Sequence, residues 1–134
     1  MELVLDTNVL ISGLLSARNP PGRIVDSIRS GKLSLVVDDR ILAEYRTVLR
    51  RPLFDRYLTA AERDWIISFL EIESRRVIAG PRIVSLPDPN DACFIEIAAE
   101  AGLPFVTGNL KHYPEKSRVG VIVLSPRDFV DRWK

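Results

Sequence analysis

Short, largely apolar runs alternate along the chain with longer segments that have helical spacing. The runs cover Glu2–Leu5, Leu33–Val37, Pro104–Thr107 and Val121–Leu124. Polar and apolar positions do not alternate within them, which predicts strands buried on both faces. Because such strands alternate with helices, the pattern indicates a parallel sheet covered on both sides, and the predicted fold class is α/β.

Capping and breaking residues mark where the intervening helices begin and end. Thr59 followed by Glu62 is a capping-box pattern, and paired prolines at Pro20 and Pro21 suit the first turn of a helix. Residues 82–86 are expected to form a short strand or an extended connector. The predicted helices are Asn8–Leu15, one opened by Pro20, one after Asp38, Thr59–Val77, one from about Asn90 to Ala101, and a terminal one after Pro126.

The composition is typical of a globular protein. The chain has 134 residues, of which 46% are hydrophobic and 28% charged, and we expect residues 1–134 to form a single domain. No basic stretch leads into an apolar block at the amino terminus, and no apolar run approaches the roughly 18 residues of a spanning helix. These features favour a cytoplasmic protein that does not contact a membrane. The formal net charge of +1 means that binding to a polyanion must depend on local patches.

Several common chemistries are excluded by the residues present. One cysteine, Cys93, cannot form an internal disulfide, and one histidine, His112, cannot build a zinc site of the usual nitrogen and sulfur ligands. The chain lacks the G-x-S-x-G, G-x-G-x-x-G and G-x-x-x-x-G-K motifs. Cys93 shares a helical face with Ile97 and Ala101, so we interpret it as a core residue. Any metal must therefore be held by oxygen ligands.

Carboxylates stand where strands end and helices begin. Asp6 directly follows the first strand, Asp88 and Asp91 precede a helix, and Glu44 lies in the helix after the second strand. Helix capping is an alternative for the three aspartates, and an exposed surface position is an alternative for Glu44. Ligands of parallel α/β sheets bind beyond the carboxyl ends of the strands. Taken together, these acids suit a hard divalent cation such as Mg²⁺ or Mn²⁺.

Four segments in this order carry a resemblance to a known family. They are Asp6-Thr7-Asn8-Val9, Glu44, Asp91 and Val106-Thr107-Gly108-Asn109. Between Met1 and about Ser125 the chain resembles PIN-domain nucleases, and more narrowly the bacterial and archaeal PIN proteins regarded as toxins of toxin–antitoxin pairs. The resemblance implies a three-layer α/β/α sandwich with a central parallel sheet. It also implies a Mg²⁺- or Mn²⁺-dependent endoribonuclease that leaves 5′-phosphate and 3′-hydroxyl ends.

The resemblance assigns roles position by position. Asp6, Glu44 and Asp91 correspond to the acidic catalytic and metal-binding positions. The polar residues that would support them are Thr7, Asn8 and Thr107, with Asn8 expected to hydrogen bond to an acidic ligand. Asn109 departs from the pattern because many relatives have aspartate there. Asp88 lies near the family acids without aligning clearly with one of them. Asn109 and Asp88 are both counted as candidate metal ligands.

The sequence allows two alternative functions. A PIN-fold module that binds RNA or regulates, without strong catalysis, would explain the missing acid at Asn109. A receiver-like phosphoacceptor domain has a similar length and fold but needs an acid pair after the first strand and a lysine after the last. The chain has Asp6-Thr7-Asn8 and Ser125-Pro126-Arg127 at those places. The first alternative therefore ranks above the second.

Partners are predicted from surface features. Single-stranded RNA is the expected substrate, and an antitoxin protein is a possible partner. The helix predicted over Thr59–Val77 has a wide apolar face with Trp65 and Phe69, which favours a homodimer unless that face packs on the sheet. The candidate phosphate contacts are Arg46, Arg50 and Arg51 on the middle helix and Lys111, His112 and Lys116 after Asn109, although solvated faces would explain either cluster.

Overall fold

A computed structural model describes residues 1–80 and 85–133 of the chain. Most of the strand or connector predicted over residues 82–86 lies outside the described residues. The five strands are β1 (Glu2–Leu5), β2 (Ser34–Val37), β3 (Arg75–Arg76), β4 (Phe105–Val106) and β5 (Val123–Leu124). The six helices are α1 (Thr7–Leu15), α2 (Pro20–Arg29), α3 (Asp39–Leu49), α4 (Ala60–Glu73), α5 (Ala92–Ala101) and α6 (Pro126–Trp133).

All neighbouring strands of the sheet are parallel, in the order β3-β2-β1-β4-β5. Helices flank this sheet, so the predicted three-layer α/β/α sandwich is confirmed. β1 is central, and the chain extends the sheet first toward β3 and later toward β5. The strand order reverses between β1 and β4. Ligands of such folds usually bind beyond the carboxyl ends of the strands at this position.

The central strands are buried as their sequence predicts. Leu3, Val4 and Leu5 are completely inaccessible to solvent, and each contributes roughly 1.5–3 kcal/mol through burial. Aromatic rings fill the layer beside β4, where Phe105 stacks on Phe94 at 5.5 Å between centroids and meets Tyr113 edge-on at 4.8 Å. This packing makes the end of β4 a rigid support for the residues that follow it.

Local sequence signals account for the helix boundaries. Thr59 and Glu62 form the predicted capping box at the start of α4. Asp38 caps α3 by accepting a hydrogen bond from the Ile41 amide at 2.9 Å. α5 ends at Gly102, which has a φ of +67° that glycine adopts without strain. The predicted start near residue 90 is a 3₁₀ turn, Pro89–Asp91, with the α-helix beginning at Ala92.

The long helix predicted over Thr59–Val77 is too long. α4 ends at Glu73, and Arg75–Arg76 forms β3, pairing in parallel with Val36 and Val37. An edge strand exposed to solvent does not need apolar side chains, so its sequence gives no apolar run. Its position is held instead by Arg75, whose guanidinium makes two hydrogen bonds to the Glu2 carboxylate at 2.7 and 3.0 Å.

Across residues 1–80 and 85–133, no helix has both the length and the apolar character needed to span a bilayer.

Candidate active site at the carboxyl edge of the sheet

Asp6 leaves the core at the end of β1 and is 8% exposed. Its amide N–H continues the sheet by donating to the Val106 carbonyl at 2.9 Å. Its Oδ2 accepts a hydrogen bond from the Thr107 hydroxyl at 2.6 Å. Because β1 and β4 are neighbours in the sheet, residues 101 positions apart meet at this edge. The Asp6 carboxylate is thus fixed by a side chain that follows the adjacent strand.

Glu44 reaches the same edge from α3. The Thr7 hydroxyl, directly after Asp6, donates a hydrogen bond to Glu44 Oε2. Thr7 is buried and Glu44 is half-buried. The predicted pairing of a threonine with an acid therefore occurs twice, once at each of these carboxylates.

Asp91 enters the site from the 3₁₀ turn before α5. Its Oδ2 is buried and accepts no hydrogen bond from the described residues, while His112 Nδ1 lies 3.5 Å away. A buried carboxylate oxygen without a donor is unfavourable, since desolvation is not offset. The Asp91 main-chain carbonyl lies 3.4 Å from the Tyr113 hydroxyl. Asp91 is therefore held through its backbone while one of its side-chain oxygens remains available.

The pKa values of Asp6 and Asp91 are both raised, and burial is the largest cause in each case. Burial raises the pKa of Asp6, against the lowering effects of the Thr107 hydroxyl and the nearby N–H groups of Thr7 and Asn8. Burial also raises the pKa of Asp91, and the charges of Asp88, Asp6 and Glu44 raise it further, whereas His112 lowers it. A bound cation would relieve both the desolvation and the mutual repulsion.

The donor set fits a hard divalent cation, although the site is not assembled as it stands. Within residues 1–80 and 85–133, no three acids, histidines or cysteines are close enough together to hold one ion. Asp91 nevertheless offers a buried oxygen without a donor, and the charges of Asp6 and Glu44 act on it. Carboxylate oxygens and water are the ligands that Mg²⁺ prefers. An ion bound here must draw the side chains closer or keep several of its waters.

The remaining predicted ligand and support residues lie at different depths around this edge. Asn109 is half-buried, and its N–H donates to Thr107 Oγ1 at 3.0 Å, so Thr107 links it to Asp6. Asp88 is exposed and accepts a hydrogen bond from the Asn90 amide at 3.0 Å, as predicted for a cap. Asn8 is exposed, and its side chain hydrogen bonds to none of the described carboxylates, contrary to our expectation. Its backbone N–H is the part that acts on Asp6.

The two predicted cation clusters differ in their relation to the acids. On α3, Arg46 pairs with Glu71 at 2.8 Å and Arg50 with Asp64 at 3.3 Å, both partners lying on α4. Arg50 is about 9 Å further along the helix axis than Glu44. In contrast, His112 of the second cluster reaches Asp91, and all three members of this cluster are exposed, namely Lys111, His112 and Lys116. The structure therefore places His112 beside the acids, and Arg51 is exposed just beyond the end of α3.

Two tyrosines at this edge were missed as site residues by the sequence analysis. Tyr45 lies among the buried apolar residues of α3, and both Tyr45 and Tyr113 are 1% exposed. Their hydroxyls point to the backbone of the acidic segments, at Leu5 and Asp91. A buried tyrosine needs a hydrogen-bond partner, so its presence on an apolar face was the available signal.

The chain is similar to known proteins in both its sequence and its fold. A family model described as PIN domain matches residues 2–111. An uncharacterized protein of Methanocaldococcus jannaschii is 27% identical over the whole chain and 92% of its own length. The fold is similar to a chain in the crystal structure of VapBC2 from Rickettsia felis bound to a DNA fragment from their promoter. That match has a TM-score of 0.60 and 12% identity, and covers 93% of this chain and 98% of the other.

Proposed function

Because the chain belongs to the PIN domain family, we propose that it is a Mg²⁺- or Mn²⁺-dependent endoribonuclease that acts as the toxin of a toxin–antitoxin pair. The observation that carries the proposal is the buried Oδ2 of Asp91, which accepts no hydrogen bond from the described residues and lies at the same edge as Asp6. Burying two neighbouring carboxylates is costly to the fold unless a cation meets them. Their chemistry matches metal-dependent phosphodiester hydrolysis, which needs no histidine.

In this proposal each side chain has a defined task. Asp6 and Asp91 would hold a divalent ion, and Glu44 would complete the acidic wall. When bound, such an ion would supply a water of lowered pKa and positive charge to offset that of the attacked phosphate. Thr107 fixes the Asp6 carboxylate and Thr7 fixes Glu44 through the hydrogen bonds described above. Metal affinity typically depends on such outer hydrogen bonds.

Asn109 bears on the number of ions. Two Mg²⁺ ions bring four positive charges, whereas Asp6, Glu44 and Asp91 bring three negative ones. Asn109 can offer a neutral carbonyl oxygen, and Asp88 is a further candidate ligand near the edge. We propose that the protein without RNA holds at most one ion, and holds it weakly, and that the scissile phosphate supplies the charge that a second ion requires.

The substrate we propose is single-stranded RNA, cleaved to 5′-phosphate and 3′-hydroxyl ends. Lys111, His112 and Lys116 are the better candidates for phosphate contacts because the histidine already lies beside Asp91. On α3, Arg46 and Arg50 are engaged by acids of α4, which leaves Arg51 as the more available cation of that cluster. Contacts of this kind would weaken with rising salt.

The proposal includes protein partners. Trp65 is 58% exposed and stacks on Phe69 at 5.5 Å between centroids, an apolar surface that a second copy could bury. A dimer mass by light scattering at tens of micromolar supports this, and a monomer mass for the parent contradicts it. The similarity to the solved VapBC2 structure supports the proposal of an antitoxin partner. The core joins β1 to Phe129 of α6, so we propose that residues 1–134 form one domain. We further propose that this domain acts in the cytoplasm.

An RNA-binding or regulatory module without catalysis remains the second function, and Asn109 is the observation that favours it. The receiver-like alternative gains no support from the family match. The test is cleavage of 5′-labelled single-stranded RNA with Mn²⁺, with Mg²⁺ and with excess EDTA. We expect cleavage with either metal and none with EDTA. Asp26→Asn, an exposed change on α2, is the matched control for Asp6→Asn. Metal-independent RNA binding without cleavage would favour the binding module.

A further inference from the structure

Tyr45 makes a contact that ordinary core packing does not require. Its ring is 1% exposed, and its hydroxyl donates a hydrogen bond to the Leu5 carbonyl at 2.5 Å. Leu5 is the last residue of β1, so this carbonyl belongs to the peptide group that leads into Asp6.

The Leu5 carbonyl lies beyond the registered pairing of β1 with β2. That pairing joins Glu2 to Ser34 and Leu3 to Leu35. Tyr45 thus supplies a donor at the point where β1 leaves the sheet on the β2 side. On the other side, the Asp6 N–H donates to the Val106 carbonyl. The backbone around Asp6 is therefore held by α3 on one side and by β4 on the other.

The residue next to Tyr45 contacts the opposite flank of Asp6. Glu44 accepts a hydrogen bond from the Thr7 hydroxyl, while Tyr45 binds the Leu5 carbonyl. Two consecutive residues of α3 therefore hydrogen bond to the residues before and after Asp6. This pair of hydrogen bonds sets the position of the Asp6 carboxylate, directly after β1, relative to the Glu44 carboxylate on α3.

We propose that Tyr45 is a positioning residue of the metal site, which fixes the peptide carrying Asp6 relative to Glu44. This inference rests on the proposed nuclease function. Removing the hydroxyl leaves both carboxylates present and allows the turn at Asp6 to shift against α3. Outer hydrogen bonds of metal ligands typically change metal affinity or activity by about 10–100-fold when lost.

The test compares Tyr45→Phe with Ile24→Val, a buried change on α2 that lowers stability without touching the site. We expect the Mn²⁺ concentration for half-maximal RNA cleavage to rise about tenfold in Tyr45→Phe. The KM for RNA should stay constant, and saturating Mn²⁺ should restore most of kcat. Ile24→Val should leave the Mn²⁺ midpoint unchanged even if its Tm falls by as much as that of Tyr45→Phe.

A second measurement needs neither metal nor cleavage. The Val9 and Leu10 amides donate to the Asp6 carbonyl at 3.1 and 3.2 Å. We expect their hydrogen exchange to accelerate in Tyr45→Phe relative to Ile24→Val. Unchanged exchange, or a Mn²⁺ midpoint equal to that of the parent, would overturn the role of Tyr45. A parent that does not cleave RNA would refute the proposed function, and the exchange data would still decide whether Tyr45 positions Asp6.

Discussion

Thr107→Val isolates the hydrogen bonds around Asp6 because valine has nearly the same shape as threonine. Thr107 is fully buried and makes two hydrogen bonds, donating to Asp6 Oδ2 at 2.6 Å and accepting from the Asn109 N–H at 3.0 Å. A hydrogen bond to a charged group contributes about 1.5–3 kcal/mol, and one to a neutral group contributes about 0.5–1.5 kcal/mol. Thr107→Val should therefore lower the free energy of unfolding by about 2–4 kcal/mol at pH 7.

Thr107→Ser is the matched control. Serine keeps the hydroxyl and loses one buried methyl group, which should reduce stability by about 1 kcal/mol. Urea denaturation monitored by tryptophan fluorescence gives both values. The Thr107 hydroxyl lowers the Asp6 pKa, so its loss lets burial raise that pKa further. The deficit of Thr107→Val should accordingly shrink as pH falls and Asp6 becomes protonated. Equal stability of the valine and serine variants at pH 7 would refute this reasoning.

Further predictions concern three positions. The raised pKa of Asp6 means that its ionised form destabilises the fold as pH rises through that value, so Asp6→Asn should raise the urea midpoint at pH 7, with the gain fading toward pH 3. The same variant should cleave RNA slower by orders of magnitude, and parental cleavage at equal metal would disprove its role. Asn109→Asp should tighten Mn²⁺ binding in calorimetry without RNA and lower the Mn²⁺ needed for cleavage. Two tight ions in the parent, or unchanged affinity, would contradict the charge argument. Burial raises the pKa of Cys93 to about 12, so its thiol should react with a disulfide reagent only after unfolding.

The strands that the sequence predicts well are those buried on both faces. Glu2–Leu5 has the predicted bounds, and the other apolar runs contain β2, β4 and β5. β3 could not be found in this way because Arg75 and Arg76 are exposed at the edge of the sheet. Its formation depends on backbone pairing with β2 and on the contact with Glu2, neither of which leaves a local pattern.

The candidate site was predictable where a residue's role follows from its place at a strand end. Asp6 and Thr107 follow strands that become neighbours, so their side chains meet. The role inferred for Tyr45 depends on a contact across 40 positions, and apolar periodicity alone hides it. The sequence likewise could not predict which arginines are free to contact RNA, because the acids that pair with Arg46 and Arg50 come from another helix.

The 101-residue separation between Asp6 and Thr107 has a consequence for the order in which the protein is made. At a synthesis rate of about 5–20 residues per second, the ribosome adds Thr107 about 5–20 s after Asp6. Until then β1 has no β4 beside it, and the Asp6 carboxylate has no hydroxyl partner. A nascent or prematurely terminated chain that ends before residue 105 lacks β4 and Thr107. Its candidate active site is therefore incomplete. A protein proposed to degrade RNA thus completes its candidate site only late in its own synthesis.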